Sequence, residues 1–168
     1  MKKVLVAYYS VTGSTEAMAQ YISEGIRISG QEAVVKKISN IKSHEDLQGY
    51  DGYIFGSPTH FSEIPEPMKA FLTMASQADL AGKPGGAFGS YTHDGNAPAI
   101  ILDTMQNVLH MEPFELGPLN LKEIMLEQPG RDDRQQSQYV AGEVLKEGDE
   151  GMRACQDYGK VFGERLGD

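Results

Sequence analysis

The sequence predicts a doubly wound α/β fold, with a five-stranded parallel sheet covered by helices on both faces. Three observations predict it. Val4–Tyr9 is a continuous apolar run, as expected of a central parallel strand buried on both faces. Strand-like and helix-like patterns alternate after it. Polar loops, Ser10–Thr15, Ser57–Glu63 and Ser90–Ala97, follow the first, third and fourth strands, at the carboxyl edge where such sheets bind ligands.

The elements follow in chain order. After the loop Ser10–Thr15, Met18, Ile22, Gly25 and Ile26 recur at helical spacing, and Gly30 lies just past the expected helix end. Ala33–Ile38 reads as the second strand and Tyr53–Gly56 as a short third, with a short helical piece between them. Beyond the loop Ser57–Glu63, residues Ile64, Met68, Phe71, Leu72 and Ala75 form one helical face; Pro65 and Pro67 are tolerated because they fall in its first turn. Gly85–Ser90 is the fourth strand. After the loop Ser90–Ala97, Ile101, Met105, Val108 and Leu109 mark a helix, and Pro113–Leu116 is the fifth strand. Met152, Cys155, Gly159, Phe162 and Leu166 mark a closing helix, which Gly159 is expected to bring close to the sheet.

Leu119–Gly148 breaks the alternation. It holds apolar Ile124–Leu126, polar Gln128–Gln138 and a possible strand, Tyr139–Leu145. A structureless loop of that length is unusual in a compact domain. The stretch can split the fifth strand, add a hairpin or cover a partner surface. The expectation for residues 1–168 is a single domain with an irregular insertion at about 119–148.

Composition narrows the function. Fifteen Lys and Arg against 24 Asp and Glu give a formal net charge of −9, which disfavours nucleic acid and anionic membranes and suits a basic protein partner. The one cysteine, Cys155, excludes an intrachain disulfide and a thiolate-rich metal or iron–sulfur site. It falls on the apolar stripe of the closing helix and reads as a buried structural residue. No run approaches the roughly 18 apolar residues of a membrane span, and Met1–Ala7 is too short an apolar run for a signal peptide. A cytoplasmic protein is expected, and an oligomer is possible.

The first loop, Ser10-Val11-Thr12-Gly13-Ser14-Thr15, carries four hydroxyls and no positive charge. Gly13 permits a tight turn, and a helix starts immediately afterwards with its first N–H groups unpaired. This is an anion site built from dipoles, suited to a terminal phosphate monoester. It lacks the later glycines of G-x-G-x-x-G and the G-K-[ST] of a nucleotide P-loop, which disfavours a dinucleotide or a nucleoside triphosphate.

At these residues the sequence resembles a known family. Ser10–Thr15 resembles the [ST]-x-T-G-x-T phosphate loop of flavodoxins, in the same place behind the N-terminal strand. Gly56-Ser57-Pro58-Thr59-His60-Phe61 resembles the G-[ST]-P-T-x-F loop of the flavodoxin-like, tryptophan-repressor-binding-protein-type quinone reductases. Ala87-Phe88-Gly89-Ser90-Tyr91 resembles the fourth strand of the flavodoxin domain in flavo-diiron proteins, and Met152–Gly159 the last flavodoxin helix. The resemblance implies strand order 2-1-3-4-5 and non-covalently bound FMN. The phosphate would lie on Ser10, Val11, Thr12, Gly13, Ser14 and Thr15. The ring would lie between Ser57, Pro58, Thr59, His60 and Phe61 on one side and Ser90, Tyr91, Thr92, Gly95 and Asn96 on the other.

A flavin ring needs an aromatic wall and polar groups along its pyrimidine edge. The chain has no Trp, so Tyr91 is the expected stacking residue and Phe61 is expected at the ring edge. Pro58 stiffens its loop, and Gly95 is expected to turn the backbone so that its N–H groups face the ring. His93 and Asp94 stand where the quinone reductases have glycines. His60 and His93 are candidates for proton transfer or solvated loop residues; His110 near a helix end is explained by the helix dipole. No metal site is expected.

Two functions follow. As an electron carrier, the protein would dock a redox partner, steered by acids that include Glu63, Glu66 and Asp94. As an oxidoreductase, it would use NAD(P)H to reduce a quinone or another small acceptor. A degenerate fold without cofactor, acting as an interaction module, is a third possibility that the intact first loop opposes.

Overall fold

Alternate residues of β1 (Lys3–Tyr8) feed two separate cores, and the layers of the fold follow from that alternation. Val4, Val6 and Tyr8 pack on one face of the sheet, Leu5 and Ala7 on the other. A strand apolar on both sides must be covered on both. The computed structural model describes residues 1–93, 95–126 and 141–167.

In it β1 lies between β2 (Glu32–Lys37) and β3 (Gly52–Gly56), and β4 (Pro84–Tyr91) and β5 (Glu112–Pro113) follow beyond β3. All are parallel, in the order β2-β1-β3-β4-β5, as the resemblance implied. The expected fifth strand, Pro113–Leu116, is corrected: only Glu112–Pro113 pairs with β4. A tight turn then closes from the Gly117 N–H to the Phe114 carbonyl (2.9 Å), with Gly117 at φ 76°. The chain re-enters the sheet as β6 (Leu119–Lys122), parallel to the later half of β4 from Phe88↔Leu119 to Tyr91↔Lys122. The fifth position is therefore shared by two short strands.

On the first face α1 (Ser14–Ile28) and α4 (Ala141–Gly167) supply Met18, Ile22 and Ile26, and Cys155, Tyr158 and Phe162. The possible strand at Tyr139–Leu145 is corrected in part: Ala141–Leu145 open α4, and Tyr139 and Val140 lie outside the described residues. On the second face α2 (Glu66–Ala75) and α3 (Ala97–Asn107) supply Met68, Phe71, Leu72, Ile101 and Met105. Pro65 is the N-cap of α2 and Pro67 lies in its first turn, where no backbone hydrogen bond is lost. The β2–β3 crossover is two 3₁₀ turns, Ile38–Asn40 and His44–Leu47, rather than a full helix.

Gly159 does bring α4 into close approach, but with α1 and not with the sheet. A Cβ at Gly159 would stand 1.9 Å from the Ile22 carbonyl oxygen, and one at Gly25 would stand 1.9 Å from that of Gln156. The two helices interlock backbone to backbone through reciprocal glycines. Tyr158 anchors α4 to the sheet edge: its hydroxyl donates to the Gly117 carbonyl (2.9 Å) and accepts the Ala87 N–H (3.1 Å). Cys155 is fully buried, as expected, and burial pushes its thiol pKa well up. No helix among the described residues is long and apolar enough to cross a membrane.

Candidate functional site

Because β1, β3 and β4 run parallel, their carboxyl ends deliver the three expected loops to one edge of the sheet. The first loop is pinned by its own serine. Ser10 Oγ accepts the Gly13 N–H (3.1 Å) and the Glu16 N–H (3.3 Å). Gly13, the N-cap of α1, has φ 95°, a left-handed conformation that a side chain would strain. Among the described residues, the N–H groups of Val11, Thr12, Ser14 and Thr15 have no hydrogen-bond acceptor. Four free donors on one turn at a helix N-terminus form a cradle for an anion.

Two of the loop's threonine hydroxyls have partners within the chain. Thr15 is 1% exposed and its Oγ1 pairs with Ser90 Oγ at 2.8 Å, a pin between α1 and β4. Thr12 Oγ1 lies 3.4 Å from Ser14 Oγ and donates to Glu123 Oε1 at 2.8 Å. Glu123 sits in the 3₁₀ turn after β6 and brings a carboxylate to the rim of the cradle. Beside it, Tyr8 donates to Glu16 Oε1 (2.9 Å); burial first, and this bond second, push the phenol pKa up to about 12.

The second loop is braced from within. Ser57 is buried; its N–H donates to the Phe88 carbonyl (3.1 Å) and its hydroxyl to the Pro58 carbonyl (2.9 Å). Thr59 Oγ1 accepts the Ala97 N–H (2.9 Å), so it caps the start of α3. His60 and Glu63 exchange backbone bonds of 2.8 and 2.9 Å around a two-residue turn, Phe61 (φ 51°) and Ser62 (φ 62°). This left-handed turn holds the Phe61 ring fully in solvent. Glu63 and Glu66 both pair with Lys69, at 3.6 and 3.5 Å, which offsets part of the acidic charge expected there.

The third loop is tied to the second and to β6. Asn96 Nδ2 donates to the Ser62 carbonyl (3.2 Å), and Asn120 Nδ2 to the Gly95 carbonyl (2.5 Å). A Cβ at Gly95 would meet the Asn120 side-chain amide at 2.1 Å, so glycine there lets Asn120 approach the loop. Tyr91 ends β4 half-buried, and Thr92 and His93 are exposed. Neither Tyr91 nor Phe61 makes a ring contact among the described residues. Asp94, Arg131 and Arg134 lie outside the described residues.

A cavity of about 910 Å³ adjoins the first loop. Ser10–Gly13 form one wall; Tyr9, Lys37, Ile41, Phe71 and Met74 contribute to the others. Neither ring loop lines it. Sequence reading missed Glu123, Asn120 and Lys37, which reach the site from elements remote in the chain.

The family model for the flavodoxin domain matches residues 5–147. The chain is similar to NAD(P)H dehydrogenase (quinone) of Cupriavidus metallidurans, 35% identical over 94 residues that cover 45% of this chain and 47% of that protein. The Archaeoglobus fulgidus protein of that name is 31% identical over 98 residues, 44% of this chain and 51% of its own. The matched region thus spans about half the length of these relatives. Among solved structures, a flavodoxin from the domain Archaea superposes with TM-score 0.78 at 24% identity, covering 99% of both chains. The Flv1 flavodiiron core from Synechocystis sp. PCC6803 does so with TM-score 0.77 at 21% identity, covering 99% of this chain and 36% of that one.

Proposed function

The chain belongs to the flavodoxin domain family, a family of FMN redox proteins, and from that premise we propose that it is an electron carrier, acting as a single domain in the cytoplasm. The observation that carries the binding site is the set of free N–H groups at Val11, Thr12, Ser14 and Thr15 at the start of α1. Their donors suit the oxygens of one phosphate, and no basic side chain stands in the loop to replace them.

Bound FMN accepts and returns one or two electrons. The chain's residues set where and how it is held. Ser10 keeps the loop in its donor-outward form. The bond from Asn96 to Ser62 and the cap from Thr59 to Ala97 hold the two ring loops at one spacing, so that little ordering cost falls on binding. Tyr91 supplies a half-buried aromatic face and Phe61 a solvent-exposed one. The exposed turn of Phe61 leaves that side of the site open to a partner, and the net charge of −9 steers basic partners toward the protein.

A second reading is an NAD(P)H-dependent FMN quinone reductase. It is favoured by the curated relatives' names and by the Gly56–Phe61 loop. Anaerobic mixing of FMN-loaded protein with NADH or NADPH separates the two. For a carrier, the flavin absorbance persists until a separate reductase is added. Rapid direct bleaching would assign the reductase reading instead.

A further inference from the structure

The cavity beside the first loop is a compartment that the FMN reading leaves unused. Neither ring loop lines it, and the β2–β3 crossover beside it is two 3₁₀ turns, Ile38–Asn40 and His44–Leu47, rather than a helix. Its size, about 910 Å³, lies within the range of about 300–1,000 Å³ usual for small-molecule sites.

We propose that this cavity binds an organic ammonium, a small amine with an aromatic or apolar body. The charge of the lining argues for a cation. Glu16, half-buried in the first turn of α1, brings a carboxylate to the wall. One of its oxygens, Oε1, accepts the Tyr8 hydroxyl at 2.9 Å. The other has no hydrogen bond, and the carboxylate no ion pair, among the described residues. Lys37, the one basic residue of the lining, is exposed and does not pair with Glu16.

The rest of the lining suits the body of such a ligand. Tyr8, Tyr9 and Phe71 are aromatic, and Ile41 and Met74 add apolar surface. An ammonium is attracted by aromatic faces as well as by a carboxylate, and more strongly where water is partly excluded. The helix dipole accounts for a carboxylate in the first turn of α1. It does not account for one at the wall of an aromatic cavity with an oxygen to spare. An anionic ligand would be repelled by Glu16, and a neutral one would leave its charge without a counter-ion. The net charge of −9 raises the concentration of cations near the protein.

The probe is phenethylamine, titrated into the full chain, flavin-free and loaded with FMN, and followed by chemical-shift changes of the protein. Phenethyl alcohol, which is neutral, and hydrocinnamate, which is anionic, share its shape. The titrations are repeated for Glu16→Gln, which keeps an oxygen for the Tyr8 hydroxyl, and for Ala70→Trp, an exposed α2 position that lines the cavity. In the unaltered chain the amine should bind at least tenfold tighter than the alcohol, and hydrocinnamate more weakly than either. Glu16→Gln should bring the amine within twofold of the alcohol. Ala70→Trp, which leaves the protein's charge unchanged, should weaken the amine at least tenfold. Equal affinity for amine and alcohol would overturn the proposal. So would full affinity of Ala70→Trp, which would show only a general attraction of cations to an acidic surface. Loss of amine binding on loading with FMN would place the amine in the flavin site and overturn it too. The flavin-free titration decides the proposal even if FMN fails to load, so its failure and that of the cofactor reading are distinguished.

Discussion

Thr12 Oγ1 donates to Glu123 Oε1 at 2.8 Å, so the phosphate cradle carries a carboxylate on its rim that arrives from 111 residues away. A bound phosphate must share this space with a like charge. Removing that charge while keeping the side chain's shape should favour the anion. Glu123→Gln is expected to tighten FMN binding by about 1 kcal/mol, roughly fivefold, at low salt. Riboflavin, which lacks the phosphate, should bind the variant and the unaltered chain alike. Weaker FMN binding by Glu123→Gln would show that the carboxylate helps to shape the cradle.

Thr15 and Ser90 form a buried pair at 2.8 Å, which changes what a substitution at Thr15 reports. Thr15→Ala leaves the Ser90 hydroxyl buried without that partner, at a cost of about 1–3 kcal/mol. Thermal denaturation of the flavin-free protein should show this loss directly, and Thr15→Ser should restore most of it. Full thermal stability of Thr15→Ala, with only FMN affinity reduced, would return the hydroxyl to the phosphate.

Tyr91 offers a half-buried ring free of other ring contacts among the described residues. Tyr91→Ala should weaken FMN and riboflavin equally, by about 1–2 kcal/mol, from lost area and stacking. Unaltered affinity for both flavins would assign the wall to another residue, Phe61 foremost.

The interlock of α1 and α4 has no slack. Gly159→Ala places a methyl group 1.9 Å from the Ile22 carbonyl oxygen, and backbone cannot yield as a flexible side chain can. The helices must separate, at a cost of about 1–3 kcal/mol or more. A denaturant midpoint equal to that of the unaltered protein would contradict this packing.

Elements and loops that depend on local pattern were legible in the sequence. The apolar run of β1, the hydroxyl-rich Ser10–Thr15 loop and the helical spacing of Met18, Ile22 and Ile26 each follow from neighbours in the chain. Pairings across the chain were not. Glycine at position 159 announces close approach, but only the fold shows that Ile22 and not the sheet is what it meets. Hydroxyls at Thr15 and Thr59 look available in sequence, yet Ser90 and the Ala97 N–H claim them. The break in the fifth strand turns on Gly117 at φ 76° and on β6 returning to β4. That return, in turn, delivers Asn120 and Glu123 to the site.

The most direct test of the binding site is a titration of flavin-free protein with FMN and with riboflavin, at about 0.05 M and about 0.5 M salt. If free N–H groups at the start of α1 hold the phosphate, FMN should bind roughly a hundredfold tighter than riboflavin. That ratio should fall less than about threefold over the salt range, because fixed dipoles are screened less than surface charges. Equal affinity for the two flavins, or no FMN uptake at all, would contradict the assignment of Ser10–Thr15 as the phosphate site.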